Sequence, residues 1–429
     1  MKERNGDLLL SPSDLTAYLA CEHLTQLELR VARGRFERPH PDDPQGDLIR
    51  RLGEEHEARY LLRLRDEGRD VVEIQLAETD WDWERAARET EEALRSSADV
   101  VYQACFVDGG WRGLADFVVR QPDGSYEVVD TKLARHGKPA HVLQLCFYSE
   151  QVGRITGRMP ERLHIELGSG VHESYRTHDF LAYYRRVRDR FLDAVRHPRE
   201  TEPYPCDHCG ICDFRELCEA WWDERDHLVR VAGIRRDQIT RLAGAGITTL
   251  AELGSADPGT DVPRLAGVTF AKLHEQAALQ LGHRLTQLHR WKTLAPEAHR
   301  GFALLPRPSR GDLFFDIEGD PFWEPERGLE YLFGVTELRD GGPRFRALWA
   351  HDRDEERRAF AEFVDLVHAR LADVPSLHVY HYAAYEPSAL KRLAAAYGSR
   401  EEEVDDLLRP ASATRRRMTG YSSSCSMTS

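Results

Sequence analysis

The chain has 429 residues, a formal net charge of −14 at pH 7 and 41% hydrophobic residues. No apolar run approaches the roughly 18 residues of a membrane span, and the N-terminus lacks a long apolar segment with a small-residue cleavage site. The acidic balance argues against a protein that coats nucleic acid non-specifically. It leaves open an enzyme that holds divalent cations with carboxylates. We expect a cytoplasmic protein of about two to four domains with no membrane partner.

Helices are predicted before the first strand. Ser11 is suited to cap a helix whose first position is Pro12. The helix carries Cys21 towards the interior on an apolar stripe of Leu15, Leu19, Leu24 and Leu27. A second helix runs through Leu48–Glu67 and contains His56.

From Asp99 the sequence favours strands. Three are predicted, separated by Gly-rich turns: Val100–Val107, Gly113–Arg120 and Tyr126–Leu133. An α/β unit is completed by a helix over His141–Val152, a strand over Arg162–Leu167 and a helix over Phe180–Arg196.

The remainder is predicted to be helical and then α/β. Residues 227–290 are helical, and Leu242–Leu253 resembles a helix–hairpin–helix, with two short helices around a Gly-containing turn. A second α/β domain begins with the strand Asp312–Glu318. The tail turns abruptly to Ser, Thr and Arg and is expected to be disordered or the frameshifted end of a longer reading frame.

Asp116, Asp130 and Lys132 are candidate catalytic residues. Asp130 and Lys132 are two apart on a strand and share a face, while Thr131 fills the spacer and faces the other side. Two carboxylates on adjacent strands can hold Mg²⁺, and a lysine beside them can orient a water and stabilise a pentavalent phosphate. The alternative interpretation is a surface Asp–Lys pair at a hairpin.

Three further features bear on that choice. Gln144 and Tyr148 share one face of the following helix, although such a pair also suits an ordinary amphipathic surface. His56 precedes the sheet on a helix, where a lone histidine is usually structural. Cysteines lie on both sides of the unit.

In this order, Gly113-x-x-Asp116, Asp130-x-Lys132 and Gln144-x-x-x-Tyr148, after a helical His56, resemble the motif series of RecB-type nucleases in the PD-(D/E)XK superfamily. The resemblance implies a Mg²⁺- or Mn²⁺-dependent nuclease domain. It also implies His56, Asp116 and Asp130 as metal ligands, Lys132 as the catalytic lysine, and Gln144 and Tyr148 as contacts to the nucleic-acid backbone.

Four cysteines lie within 13 residues: Cys206, Cys209, Cys212 and Cys218. In a cytoplasmic chain this spacing indicates metal or cluster binding rather than disulfides. Together with Cys21, the last three resemble the iron–sulfur staple of AddB-type and CRISPR-associated RecB-type nucleases, which implies a 4Fe–4S cluster on these four cysteines. The alternative is a zinc site of the four local cysteines, for which His208 could also compete.

A second acidic site is predicted at Asp316 and Glu318, which point the same way on a strand. The alternative is an acidic strand end that runs into a turn. The run Phe314–Pro321 with His381–Glu386 resembles the YprB-type ribonuclease H-like domain, which implies Asp316, Glu318 and Glu386 as metal ligands. The family's further acidic motifs are not found after position 400, so this domain is expected to be incomplete and its activity doubtful.

Residues 8–405 resemble one bacterial family of RecB-like putative nucleases. This implies a RecB-type nuclease over 8–222, a helix–hairpin–helix-like linker over 223–300, a partial YprB-type domain over 310–408 and a tail over 409–429. The family continues into a helicase module, and the phosphate-binding loop of such a module does not occur here. The predicted function is a deoxyribonuclease, an exonuclease that acts on single-stranded DNA or ends in repair or defence. The alternatives are a non-catalytic DNA-binding module that serves a helicase, and exonuclease activity from the ribonuclease H-like domain.

Overall fold

A computed structural model describes residues 1–4, 6–76, 82–321, 323–324, 327–339, 341–409 and 418–420. The chain divides into two compact units, Met1–Leu288 and His289–Ser429. Both are α/β, as the sequence predicts. Within the described ranges, every helix is too short or too polar to cross a membrane.

The first unit opens with a hairpin of β1 and β2 and is built around a six-stranded sheet. Its elements up to the cysteine-rich segment are β1 (Lys2–Arg4), β2 (Asp7–Leu9), α1 (Pro12–Ala20), α2 (Glu22–Ala32), α3 (Pro44–Asp66), β3 (Val71–Glu73), α4 (Trp83–Arg95), β4 (Val100–Asp108), β5 (Trp111–Arg120), β6 (Tyr126–Lys132), α5 (Pro139–Thr156), β7 (Arg162–Leu167), β8 (His172–Arg176) and α6 (Thr177–Arg196).

The sheet runs in the order β3-β4-β5-β6-β7-β8. Its centre, β4-β5-β6, is an antiparallel meander, and β7 lies parallel to β6. Successive residues of a strand point to opposite faces. One face of β5 and β6 therefore packs Val118 and Val128 into the main core with α5. The other face packs Phe117 and Val129 against α3.

The single helix predicted after Ser11 is divided at Cys21 in the structure. Cys21 has φ −156°, ends α1 and caps α2, and its Sγ accepts a hydrogen bond from the backbone N–H of Leu24 at 3.4 Å. Leu19 is 39% exposed, so the predicted apolar stripe is not continuous. The break places the Cys21 thiol at a helix junction.

The helical part that follows has its own core. It contains α7 (Arg215–Glu224), α8 (Arg236–Gly244), α9 (Leu250–Ser255) and α10 (Gly267–Thr286), with short 3₁₀ turns at Asp207–Ile211 and Leu228–Arg230. Helices α8 and α9 are joined by a tight turn in which Gly246 has φ +84°, and Thr249 and Glu252 form a capping box. This segment therefore has two short helices around a tight glycine turn.

The second unit has a five-stranded sheet in the order β11-β10-β9-β12-β13. Its elements are β9 (Leu313–Asp320), β10 (Leu329–Arg339), β11 (Gly342–Trp349), α11 (Arg353–Asp373), β12 (Val379–His381), α12 (Tyr385–Tyr397), α13 (Glu401–Leu408) and β13 (Met418–Gly420), after a 3₁₀ turn at Gly301–Leu304. Of the predicted tail, 418–420 is strand β13, parallel to β12, and 410–417 and 421–429 lie outside the described residues.

Candidate active site

The candidate carboxylates lie in one row of the first sheet, where strand pairing is interrupted. The β4–β5 ladder skips the pair Gln103 and Asp116. The β5–β6 ladder stops one step before Asp116 and Asp130. Gln103 has φ +52°, in the left-handed region that side-chain-bearing residues rarely adopt. Backbone groups that a regular ladder would occupy are therefore available to side chains at this row.

One of these free backbone groups is the N–H of Thr131. Its backbone N–H and its hydroxyl donate to Asp116 Oδ2 at 2.8 and 2.9 Å. Strand alternation assigns Thr131 to the opposite side of the sheet and predicts no role for it, but the separation of β5 from β6 lets Asp116 reach it. Asp116 is thus oriented by β6, the strand that carries Asp130 and Lys132.

Asp130 is a buried carboxylate paired with Lys132. It is 2% exposed, and its Oδ2 lies 2.7 Å from Lys132 Nζ. Burial and the neighbouring charge of Asp116 raise the pKa of Asp130 to about 8, against the opposing effect of Lys132. A carboxylate in this state is suited to a bound cation, which would replace the proton.

Helix α3 brings two neighbouring residues to this region. His56 is 6% exposed, and its Nε2 lies 3.0 Å from the backbone oxygen of Glu166. That nitrogen therefore carries the proton and donates, which leaves Nδ1 as the nitrogen that could bind a metal. One of the two ring nitrogens of His56, the predicted metal ligand, is therefore already hydrogen-bonded to the backbone of β7.

Glu57 is the second of these residues. Burial and the charge of Asp116 raise its pKa, whereas hydrogen bonds from Tyr102 and Gln103 and the charge of Lys132 lower it. Glu57 therefore belongs to the same cluster of charges, and it is not among the predicted site residues. Three of the four residues 54–57 are glutamates, which indicates an acidic segment on this helix. Sequence alone does not show which of these glutamates faces the sheet.

Helix α5 places Tyr148 beneath the carboxylates. Tyr148 is 3% exposed, and burial raises its pKa, with Asp130 and Asp116 adding to the rise and a hydrogen bond with Gln144 opposing it. A Cβ on Gly113 would lie 3.0 Å from the Tyr148 hydroxyl oxygen, so the ring packs against bare backbone of β5. Of the two predicted nucleic-acid contacts, Gln144 is the half-exposed one.

His141 also faces this region and is absent from the predicted set. Burial and the charges of Lys132 and Lys138 lower its pKa to about 4. It is therefore a neutral imidazole at physiological pH, with Nδ1 accepting a hydrogen bond from the Lys138 backbone N–H at 3.2 Å. No motif marks this residue, and its position follows from the start of α5.

A chain of two buried acids and two histidines, of which His172 is exposed, supports β7 beside the site. His164 Nε2 lies 2.8 Å from Glu127, His172 lies 3.0 Å from His164, and the other His172 nitrogen lies 2.9 Å from Glu166. Arg63 of α3 donates to Glu166 at 2.6 Å. Burial alone would raise the pKa of Glu166. The hydrogen bonds and charges of His172 and Arg63 outweigh burial, so the pKa is lowered. Glu166, whose backbone carbonyl accepts a hydrogen bond from His56, is therefore held in place by Arg63 and His172.

Five cysteines line one apolar cavity of the first unit: Cys21, Cys206, Cys209, Cys212 and Cys218. All five are free thiols, and Cys206 and Cys209 have their sulfurs 3.9 Å apart. Burial and the four surrounding thiols raise the pKa of Cys218 to about 12. The fold therefore brings the distant Cys21 to the local cluster, and it brings Cys206 there as well.

The second acidic site is less closely assembled. Asp316 and Glu318 are exposed on β9, as the strand alternation predicts. Glu386 is 3% exposed on α12, and its carboxylate lies 3.3 Å from His381 Nδ1. The structure therefore places Glu386 in a buried pair with His381 rather than on the exposed face of β9.

Across the described residues, no three or more His, Cys, Asp or Glu side chains already surround a point that a metal ion could occupy. The residues at Asp116 and Asp130 nevertheless suit a hard divalent cation, because both donors are carboxylate oxygens and Asp130 is buried beside the charge of Asp116. The five thiols suit a soft metal or an iron–sulfur cluster by their donor chemistry alone.

Comparison with known families agrees with this architecture. Residues 9–219 match the PD-(D/E)XK nuclease superfamily, and residues 313–428 match the RNase H superfamily. The chain therefore has an α/β fold in both matched regions. It carries a PD-(D/E)XK nuclease domain in its first unit and an RNase H-like domain in its second.

Two further comparisons add little. A search of curated proteins found no match. A solved structure described as "Crystal structure of SSO0001" covers 51% of this chain and 88% of its own, with 15% sequence identity and a TM-score of 0.24. That likeness is too low to bear on the fold or on the site.

Proposed function

We propose that the first unit is a RecB-type, Mg²⁺- or Mn²⁺-dependent deoxyribonuclease. It would act in the cytoplasm as an exonuclease on single-stranded DNA or DNA ends, in repair or defence, with a helicase as a possible partner. The observation that carries the proposal is the row of Asp116, Asp130 and Lys132, in which Asp130 is buried, lies 2.7 Å from Lys132 Nζ and has a pKa raised to about 8 by burial and by the charge of Asp116. Perturbed carboxylates of this kind concentrate at functional sites.

Asp116 and Asp130 would hold the cation, with Nδ1 of His56 as the third ligand and Glu57 close by. When bound, a divalent cation lowers the pKa of a bound water and offsets charge on a phosphate. The Lys132 ammonium, 2.7 Å from Asp130, stabilises the negative charge that develops on the phosphate during attack. Thr131 keeps the Asp116 carboxylate in the row.

The test is an assay of the full chain on end-labelled single- and double-stranded DNA with Mg²⁺ or Mn²⁺. The variants are Lys132→Ala and Asp316→Ala, and Lys272→Ala, which removes an exposed lysine from α10, is the matched control. We expect Lys132→Ala to lower the rate by about 10²–10³-fold, with the other two variants close to wild type.

The other outcomes are equally informative. Loss of activity only in Asp316→Ala would assign the reaction to the RNase H-like domain instead. A wild-type protein that binds DNA without cutting it under any of these conditions would identify a binding module.

We also propose that the cysteine cavity holds a 4Fe–4S cluster on Cys21, Cys209, Cys212 and Cys218, with a structural role. The convergence of Cys21 with the local cysteines supports it, because a cluster needs thiolates that meet in space rather than in sequence. Such a cluster would tie the α1–α2 junction to the end of the nuclease domain. Zinc held by Cys206, Cys209, Cys212 and Cys218 is the competing assignment.

A matched pair of variants separates these assignments. Cys21→Ser should abolish visible absorption and bound iron after anaerobic purification, and Cys206→Ser should preserve both. Bound zinc that is lost in Cys206→Ser and kept in Cys21→Ser would establish the local zinc site.

A further inference from the structure

Two histidines contact each other on the last two strands of the six-stranded sheet. Nδ1 of His164, on β7, lies 3.0 Å from Nε2 of His172, on β8. His164 is paired with Val129 of β6, and Asp130 is the next residue of that strand. Because successive residues of a strand point to opposite faces, the two histidines and the Asp130 carboxylate lie on opposite sides of the sheet. This histidine pair, His164 and His172, is therefore separate from the candidate active site.

A buried glutamate holds the outer nitrogen of each ring. Glu127 lies 2.8 Å from Nε2 of His164, and Glu166 lies 2.9 Å from Nδ1 of His172. The two glutamates are 7% and 2% exposed. An ionised carboxylate only accepts hydrogen bonds, so each outer nitrogen carries the proton of its ring. The inner nitrogens, Nδ1 of His164 and Nε2 of His172, are therefore the unprotonated ones in the neutral rings.

The inner nitrogens thus face each other with their lone pairs. Two lone pairs at 3.0 Å repel each other, so two neutral rings in this position are unfavourable on their own. The short distance becomes favourable when a positive species lies between the nitrogens, either a third proton or a metal ion. A neutral imidazole whose other nitrogen donates to a carboxylate is the usual form of a metal-binding histidine.

The spacing of the pair suits a transition-metal ion. Two imidazole nitrogens that bind one tetrahedral zinc ion at about 2.0–2.1 Å are about 3.3–3.4 Å apart, so the pair needs to open by only about 0.3–0.4 Å. The His172 side chain is 44% exposed and has room to make this movement, whereas that of His164 is 11% exposed. Water molecules would complete the coordination on the exposed side.

Both glutamates are themselves held in place. Glu127 accepts a hydrogen bond from the backbone N–H of Arg162 at 3.1 Å, through the oxygen that does not face His164. Glu166 accepts from Arg63 at 2.6 Å through the oxygen that does not face His172. Carboxylates that orient metal-binding imidazoles in this way strengthen metal binding. Imidazole nitrogens suit zinc-like ions, whereas Mg²⁺ prefers oxygen ligands.

We propose that the histidine pair binds a divalent transition-metal ion such as Zn²⁺ through Nδ1 of His164 and Nε2 of His172. The role of this ion is structural. Strand β8 is at the edge of its sheet, and the ion would join it to β7 by ligand bonds in addition to the backbone hydrogen bonds. It would also fix Glu166, whose backbone carbonyl accepts a hydrogen bond from His56.

The test counts the zinc bound by the full chain. The protein is dialysed to equilibrium against a series of free Zn²⁺ concentrations in excess Mg²⁺, and its zinc content is measured by elemental mass spectrometry. The variants are His164→Asn, His172→Asn and Glu127→Gln, and His178→Asn, which replaces an exposed histidine of α6, is the matched control. Cysteine thiols also bind zinc, but all variants keep them, so their contribution cancels. Thermal melting in EDTA checks that each variant folds.

We expect wild type and His178→Asn to bind one zinc ion more than His164→Asn and His172→Asn. Glu127→Gln should retain this ion with a Kd raised about 10–100-fold. Zn²⁺ should also raise the melting temperature of wild type more than that of His172→Asn. If the more buried His164 is needed for folding, the half-exposed His172 still decides the outcome.

Equal zinc content and equal stabilisation in wild type and His172→Asn would overturn the proposal. The same loss of zinc in His178→Asn would do so as well, because it would show that any histidine contributes. Displacement of the additional ion by Mg²⁺ would also contradict it, since the ion would then be held by oxygen ligands elsewhere.

Discussion

Replacing Asp130 by asparagine should change how the stability of the first unit depends on pH. An aspartate carboxyl in water has a pKa of 3.8, and burial beside Asp116 raises that of Asp130 to about 8 in the folded protein. Between these values the native state keeps a proton that the unfolded chain has lost, so stability falls as pH rises through that window. The shift corresponds to about 6 kcal/mol across the whole window, at about 1.4 kcal/mol for each pKa unit.

Asp130→Asn removes this titration and keeps the shape of the side chain. Urea unfolding in EDTA, followed by tryptophan fluorescence from pH 5 to pH 9, should show the variant gaining stability over wild type as pH rises, and most of that gain should come by pH 8. Asp123→Asn is the control, because hydrogen bonds from Ser125 and Arg158 lower the pKa of Asp123 to about 2, below this range.

A stability difference between Asp130→Asn and wild type that stays constant from pH 5 to pH 9 would refute the reasoning. Added Mg²⁺ offers a second check on the same group. Because a cation binds only the ionised carboxylate, Mg²⁺ should stabilise wild type more as pH rises and should have little effect on the variant.

Three other substitutions test the surroundings of the site. Gly113→Ala should destabilise the first unit by about 1–3 kcal/mol in thermal or urea unfolding, since the new Cβ would lie 3.0 Å from the Tyr148 hydroxyl; unchanged stability would show that the ring moves freely. Glu166→Ala should cost about 1–3 kcal/mol by the same measurement, because it removes the buried acceptor of Arg63 and His172, whose own side chains stay about half exposed to water; unchanged stability would contradict that account. Glu57→Gln should lower the cleavage rate at least about tenfold with little change in melting temperature, and an unchanged rate would place Glu57 outside the chemistry.

Much of the site was accessible from sequence because its features are local. Period-2 alternation and Gly-rich turns predict the strands that carry Asp116, Asp130 and Lys132, and the structure has strands there. The same alternation predicts that Asp316 and Glu318 share a face, which they do. The cysteine spacing marks a cluster, and the structure lines one cavity with Cys21 and that cluster.

Other features depend on which elements meet, which no local pattern contains. Thr131 holds Asp116 only because the β5–β6 ladder stops at that row. Glu57 joins the site because α3 packs against β6, and its neighbours Glu54 and Glu55 remain exposed.

Sequence by itself determined the residue types and the strand periodicity that define a nuclease-like row, together with the α/β class. Tertiary structure decided which carboxylate of that row is fully buried, which glutamate approaches it and which nitrogen of His56 is already hydrogen-bonded. The physical reason is that desolvation and charge–charge interaction depend on neighbours distant in the chain, and the burial that raises the pKa of Asp130 exists only once α5 and the sheet have packed together.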